Sequence, residues 1–132
     1  MKGFNGNLEK FTVGNGDFRN VIYTAKHCQL VLMSLKPGEE IGSEVHPDND
    51  QFFRFEQGQG KCVIDGNEYD VKDGTGVIVP AGSEHNVINT SDSDFLKMYT
   101  IYSPPHHRDK VRHHTKEAAE ADDEKFDGKT SE

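Results

Sequence analysis

The sequence predicts an all-β protein, an antiparallel sandwich or barrel, and three observations carry that expectation. Short β-rich runs recur about every ten residues between Phe18 and Tyr102. Turn chemistry bounds each run, and no long stretch of helical period separates them. Parallel sheets need crossovers, usually helical, so their absence leaves antiparallel neighbours joined by tight turns.

In chain order, residues 1–17 form an arm. Gly3, Gly6, Gly14 and Gly16 among polar residues give irregular backbone, with one short strand expected at Lys10 to Val13. Strands follow at Val21 to Ala25, Gln29 to Leu35, Gln51 to Phe55, Lys61 to Ile64, Glu68 to Val71, Gly76 to Val79, Asn86 to Asn89 and Phe95 to Tyr102. The clearest hairpin has Asp65-Gly66 at its tip, because a type I′ turn needs positive φ at both central residues. Period-two alternation points Phe53 and Phe55 to the inside, as core, and Phe52, Arg54 and Glu56 to the other face. The predicted domain therefore spans residues 18–102, with essentially no helix before Ser103.

Residues 103–132 form a polar tail with six basic and eight acidic residues and four of the seven histidines. Thr115 to Phe126 reads as a helix capped by Thr115, with too little apolar material for a core of its own. The pairs His106-His107 and His113-His114 read as solvated side chains of this tail. Cys28 and Cys62 lack any CxxC spacing and read as small core residues.

Composition narrows the function. A formal charge of -8 disfavours binding along a phosphate backbone, which needs a basic surface, so no nucleic-acid partner is expected. No apolar run approaches the roughly 20 residues that span a bilayer, and residues 1–16 lack a signal-peptide core. The expectation is a cytoplasmic protein, without a membrane partner, that binds a small molecule.

Two spaced patterns lie between Gly38 and Asn89. Gly74, Pro80, Gly82, His85 and Asn89 follow the spacing G-x5-P-x-G-x2-H-x3-N, and Gly38, Glu44, His46, Gln51 and Gly58 follow G-x5-(E)-x-H-x4-(Q)-x6-G. Together they resemble the two motifs of the cupin family. The second matches at every fixed position, while in the first Glu44 and Gln51 stand where the family has His and Glu. The resemblance covers about Val21 to Tyr102. It implies a small single-domain cupin, a jelly-roll or double-stranded β-helix, with a metal held inside by Glu44, His46, Gln51 and His85, and frequent homodimers. The expected dimer contact is the N-terminal arm with an edge strand, since exposed edges need cover.

Strand geometry supports convergence independently, since Glu44 and His46 are two apart and share a face, while the turn at Pro80 to Gly82 brings in His85. Two imidazoles and a carboxylate suit one divalent ion, Fe, Mn or Zn, and leave positions for substrate. Glu44 is either the anionic ligand or a general base beside the ion. Gln51 is either a weak fourth ligand or a hydrogen-bond partner of the ligands, and is preferred to Asp50 because it keeps the strand alternation. Tyr99 and Tyr102 are proton-donor candidates whose register the sequence leaves open. The reading is a metal-dependent enzyme acting on a small oxygen-bearing substrate, by dioxygenase, isomerase or lyase chemistry. The alternative is a noncatalytic sugar-like binding or sensor module.

Overall fold

Two antiparallel sheets face each other across one core in a computed structural model that describes residues 1–132. The chain runs α1 (Leu8–Gly14), β1 (Arg19–Thr24), β2 (Gln29–Leu35), β3 (Glu44–Val45), β4 (Asp50–Gln57), β5 (Gln59–Ile64), β6 (Asn67–Lys72), β7 (Gly76–Val79), β8 (Glu84–Asn89), β9 (Leu96–Ser103), β10 (Arg112–His113) and α2 (Lys116–Ala121). One sheet has the order β10-β1-β2-β9-β4-β7 and the other β3-β8-β5-β6. The expected all-β architecture is present, and the strands expected between Val21 and Tyr102 are all found, with β3 and β10 in addition.

Register explains what each strand contributes. In the larger sheet Gln29, Tyr102 and Gln51 lie side by side, then Val31, Thr100 and Phe53, then Arg19, Met33, Met98 and Phe55. Side chains in register point to one face, and here that face is the interior: Val31, Met33, Phe53, Phe55 and Met98 are buried in the core cluster. Each such large apolar side chain contributes about 2 kcal/mol by leaving water. In the smaller sheet Cys62 pairs with Val87, and Glu44 with His85 and His85 with Ile64.

The Asp65-Gly66 turn closes β5 and β6 as expected, with φ of 47° and 81°. Gly58 has φ 87°, and a Cβ there would lie 2.4 Å from the Phe95 carbonyl oxygen, so the β4–β5 turn requires glycine twice over. Asn89, the last residue of the second motif, is buried. Its amide donates to the carbonyls of Leu35, Lys36 and Asp94, and its oxygen accepts from Ser91 N–H, tying the smaller sheet to the ends of β2 and β9.

Four expectations need correction. The strand expected at Lys10 to Val13 is the helix α1, started by Asn7, whose side chain accepts from Lys10 N–H. The helix lies against β2, β4 and β9, which is why β2 is buried on both faces. Cys28 is exposed because it falls in the turn before β2 rather than within a strand, whereas Cys62 is buried, and that burial pushes its thiol up to about 11. The helix expected at Thr115 to Phe126 covers only Lys116–Ala121. Thr115 caps it through Ala118 N–H, and Asp122 and Glu124 beyond it turn back to histidines.

The fourth correction concerns those histidines. His107 and His113 are buried and His106 is half-buried; His114 alone keeps a mostly exposed ring. The cause is polar anchoring rather than apolar burial. Gln29, fully buried, accepts from the backbone N–H groups of His106 and His107 and donates to Thr24 Oγ1 and the His107 carbonyl. β10 adds to the edge of β1, and the Ser131 N–H donates to the Thr24 carbonyl. An apolar count could not register such a segment.

Candidate metal centre

β3 and β8 build the centre. Because Glu44 and His85 are register partners, their side chains leave the smaller sheet side by side, and His46, two residues on, follows Glu44 to the same face. One donor atom from each of Glu44, His46 and His85 lies within 4.8 Å of the others. The rings of His46 and His85 are 5.1 Å apart.

The donor chemistry fits a divalent cation. His85 Nδ1 lies 3.1 Å from the Ser83 carbonyl oxygen. A carbonyl only accepts, so Nδ1 carries the proton and Nε2 offers its lone pair, the usual fixing of a metal-binding tautomer. His46 Nε2 is 3.1 Å from Glu44 Oε2, within ion-pair distance, yet it is buried and the contact lacks hydrogen-bond direction, so the nitrogen has no hydrogen-bond partner. Gln51 Oε1 is a second buried, unpartnered acceptor; the amide nitrogen of Gln51 donates to Thr100 Oγ1 and thereby sets the oxygen's direction. Orphaned buried polar atoms are costly, and a cation is the partner that would satisfy both.

Burial pushes the Glu44 carboxyl up, but the His46 imidazole at ion-pair distance, with the charges of Arg19 and His85, outweighs it and holds the carboxyl below its ordinary range. Glu44 is therefore an anion at neutral pH, as a ligand must be. Asp50 is not part of the centre: it is exposed, and its carboxylate accepts from Ala81 N–H, which pins the Pro80 to Gly82 turn.

The chain beyond β9 supplies neighbours that the sequence did not reveal. The His106 ring is 4.3 Å from the His46 ring and stacks on Tyr102 at 5.2 Å. Burial, and then the charges of His107 and His46, push His106 down to about 4, so it is a neutral imidazole. Tyr102 lies inside, 5.7 Å from His46 between ring centres, whereas Tyr99 pairs in register with Arg54 on the opposite face. The Tyr102 hydroxyl is 3.3 Å from His107 Nε2, and His107 Nδ1 is 2.5 Å from Glu124 Oε1. Burial pushes Glu124 up, but hydrogen bonds from His107 and from Arg108 N–H prevail and hold it at about 2. The one sequence signal for these residues was the histidine pair directly after Pro104-Pro105 at the end of β9.

Known proteins agree with this architecture. The model of the cupin domain matches residues 31–102. The chain is 48% identical over 105 residues to an uncharacterized protein of Acanthamoeba polyphaga mimivirus, covering 76% of this chain and 65% of that protein. It is 46% identical over 127 residues to the uncharacterized protein YrkC of Bacillus subtilis (strain 168), covering 91% and 67%. The chain thus spans about two thirds of the length of these curated relatives. A crystal structure from Bacillus halodurans is similar at 39% identity with a TM-score of 0.89, covering 92% of this chain and 96% of that one. With the two motifs, the two facing sheets and these relatives in agreement, the chain belongs to the cupin family.

Proposed function

We propose that this protein is a metal-dependent cupin enzyme that acts on a small oxygen-bearing substrate, with chemistry of the dioxygenase, isomerase or lyase type. The observation that carries the reading is the convergence of Glu44, His46 and His85 beside two buried acceptors without partners, His46 Nε2 and Gln51 Oε1. Glu44 supplies the negative charge, His46 and His85 supply neutral nitrogens, and Gln51 is the weaker fourth ligand. A bound Fe, Mn or Zn ion would supply Lewis acidity, and iron would add reactivity towards oxygen. Tyr102, held by His107 and Glu124, keeps a hydroxyl proton beside the centre; burial pushes its pKa well above the usual phenol range, so it stays protonated at neutral pH.

The test is elemental analysis of protein purified without an affinity tag, with His46→Ala and His85→Ala alongside. One equivalent of Fe, Mn or Zn is expected, and it should be lost from both variants. Iron directs the search to oxygen-dependent reactions, and zinc or manganese to isomerase and lyase assays. Metal retained by both variants refutes the site.

A second reading has one observation in its favour. Glu44 and His46 already lie at ion-pair distance, which would suit a noncatalytic barrel that binds a sugar-like ligand and uses the pair structurally. Absence of metal, together with ligand binding, would establish that reading instead. For location, no helix is long and apolar enough to cross a membrane, and both cysteines are free; we propose the reducing cytoplasm. We also propose a homodimer.

A further inference from the structure

Arg19 is a half-buried arginine that makes no ion pair, although its charge acts on the Glu44 and Glu124 carboxylates. It occupies the inner row of the larger sheet, in register with Met33, and Met33 with Met98, both fully buried. Strand geometry therefore aims a guanidinium into the barrel from the position where its neighbours supply core. No carboxylate lies within ion-pair distance of it, although acidic groups pair with Arg54, Lys61, Arg112 and four of the histidines. Its Nε is buried and has no hydrogen-bond partner.

The contacts it does make orient the charge without cancelling it. Arg19 Nη1 is 3.4 Å from His113 Nδ1, and His113 Nε2 is 2.9 Å from Asp122 Oδ2. Since arginine only donates, His113 accepts at Nδ1 and carries its proton on Nε2, a neutral ring facing the guanidinium. The Arg19 Cζ also lies 5.5 Å from the centre of the Phe18 ring. The carboxylate that would complete an ion pair, Asp122, is thus placed on the far side of His113. A half-buried arginine whose buried Nε has no partner and which makes no ion pair is costly and rarely kept for stability.

We propose that Arg19 is the binding residue for an oxyanion group of the substrate, a carboxylate or a phosphate, while oxygen atoms elsewhere on the same molecule face the Glu44, His46 and His85 centre. The substrate class is accordingly a small anionic compound carrying a hydroxyl or keto oxygen. The planar fork of a guanidinium matches an oxyanion with two parallel hydrogen bonds, and the free Nε supplies one of the two donors. This rests on the metal-centre reading for the second contact, but not for the first.

The experiment follows the Arg19 Nε–H signal by NMR while glycolate, inorganic phosphate or maltol, an oxygen chelator with no carboxylate, is added to zinc-loaded and to metal-free protein. Glycolate or phosphate should shift that signal, and the anion that acts at lower concentration identifies the group recognised. Maltol should leave it in place. By calorimetry on zinc-loaded protein, Arg19→Gln should bind the effective anion at least tenfold more weakly and maltol unchanged, with Arg19→Lys between. Zinc content and melting temperature verify that the variants fold. If Arg19→Gln does not fold, the wild-type NMR result decides alone. A signal unmoved by saturating glycolate and phosphate, or a folded Arg19→Gln that binds both anions as wild type does, overturns the proposal. Failure of wild-type protein to hold zinc, iron or manganese refutes the metal centre instead, and the metal-free arm still tests Arg19.

Discussion

Glu44 and Gln51 exchange the usual order of charge at this site, and their substitution separates ligand from bystander. Glu44→Gln removes the only carboxylate of the triad and should weaken zinc binding by about ten- to a hundredfold in chelator competition. Gln51→Glu should move affinity the other way, since it places an anion where a buried amide oxygen has no partner. If Glu44→Gln keeps the metal and loses only turnover, Glu44 is the general base instead. Gln29 presents a different case, structural and just as local. Three of its four hydrogen bonds hold the His106-His107 backbone inside the barrel, the fourth goes to Thr24 Oγ1, and Gln29→Leu leaves those buried groups unpaired. A loss of about 3 kcal/mol is expected in urea unfolding, with no loss if the segment is anchored elsewhere.

Among the elements, the segment from His106 to Glu124 binds to the barrel by charge, so pH should release it. A Glu124 carboxyl held at about 2 in the folded chain takes up a proton more readily when the chain unfolds, where its ordinary value is 4.5. The stability it adds is complete above about 4.5 and is lost as pH falls towards 2. His106, pushed down to about 4 from 6.5, acts in the same direction over a higher window, because the unfolded chain is protonated first. Urea midpoints should therefore fall steadily from pH 6.5 downward, and Glu124→Gln should flatten the part below 4.5. A midpoint that stays constant down to pH 3 would show that the segment is held by other means. At the β4–β5 turn, Gly58→Ala meets the Phe95 carbonyl and should cost about 3 kcal/mol, measured the same way.

On the scale of the whole molecule, the outer face of the larger sheet stays partly apolar. Ile78 on the edge strand β7 is 67% exposed, and Phe11 on α1 is 49% exposed, both on or against that sheet. A second copy covering this face is the arrangement expected of the proposed homodimer. Sedimentation at micromolar concentration should give twice the chain mass, and Ile78→Lys should return it to the monomer. A monomeric wild type would dismiss the dimer.

What the sequence determined is what local chemistry can encode. Alternation, turn residues and two spaced motifs specified the strands, the Asp65-Gly66 hairpin and the positions of Glu44, His46 and His85, because a two-residue period and a fixed turn decide which face a side chain takes. Tertiary structure decided the rest. The inward aim of Arg19 depends on its register with Met33, set by long-range pairing, and the burial of His106, His107 and His113 depends on partners as distant as Gln29, Arg19 and Glu124. α1 and the chain beyond β9 were misread for the same reason. Their stability comes from a cap and from polar bonds to remote elements, and hydrophobic pattern carries no trace of a hydrogen bond made across seventy residues.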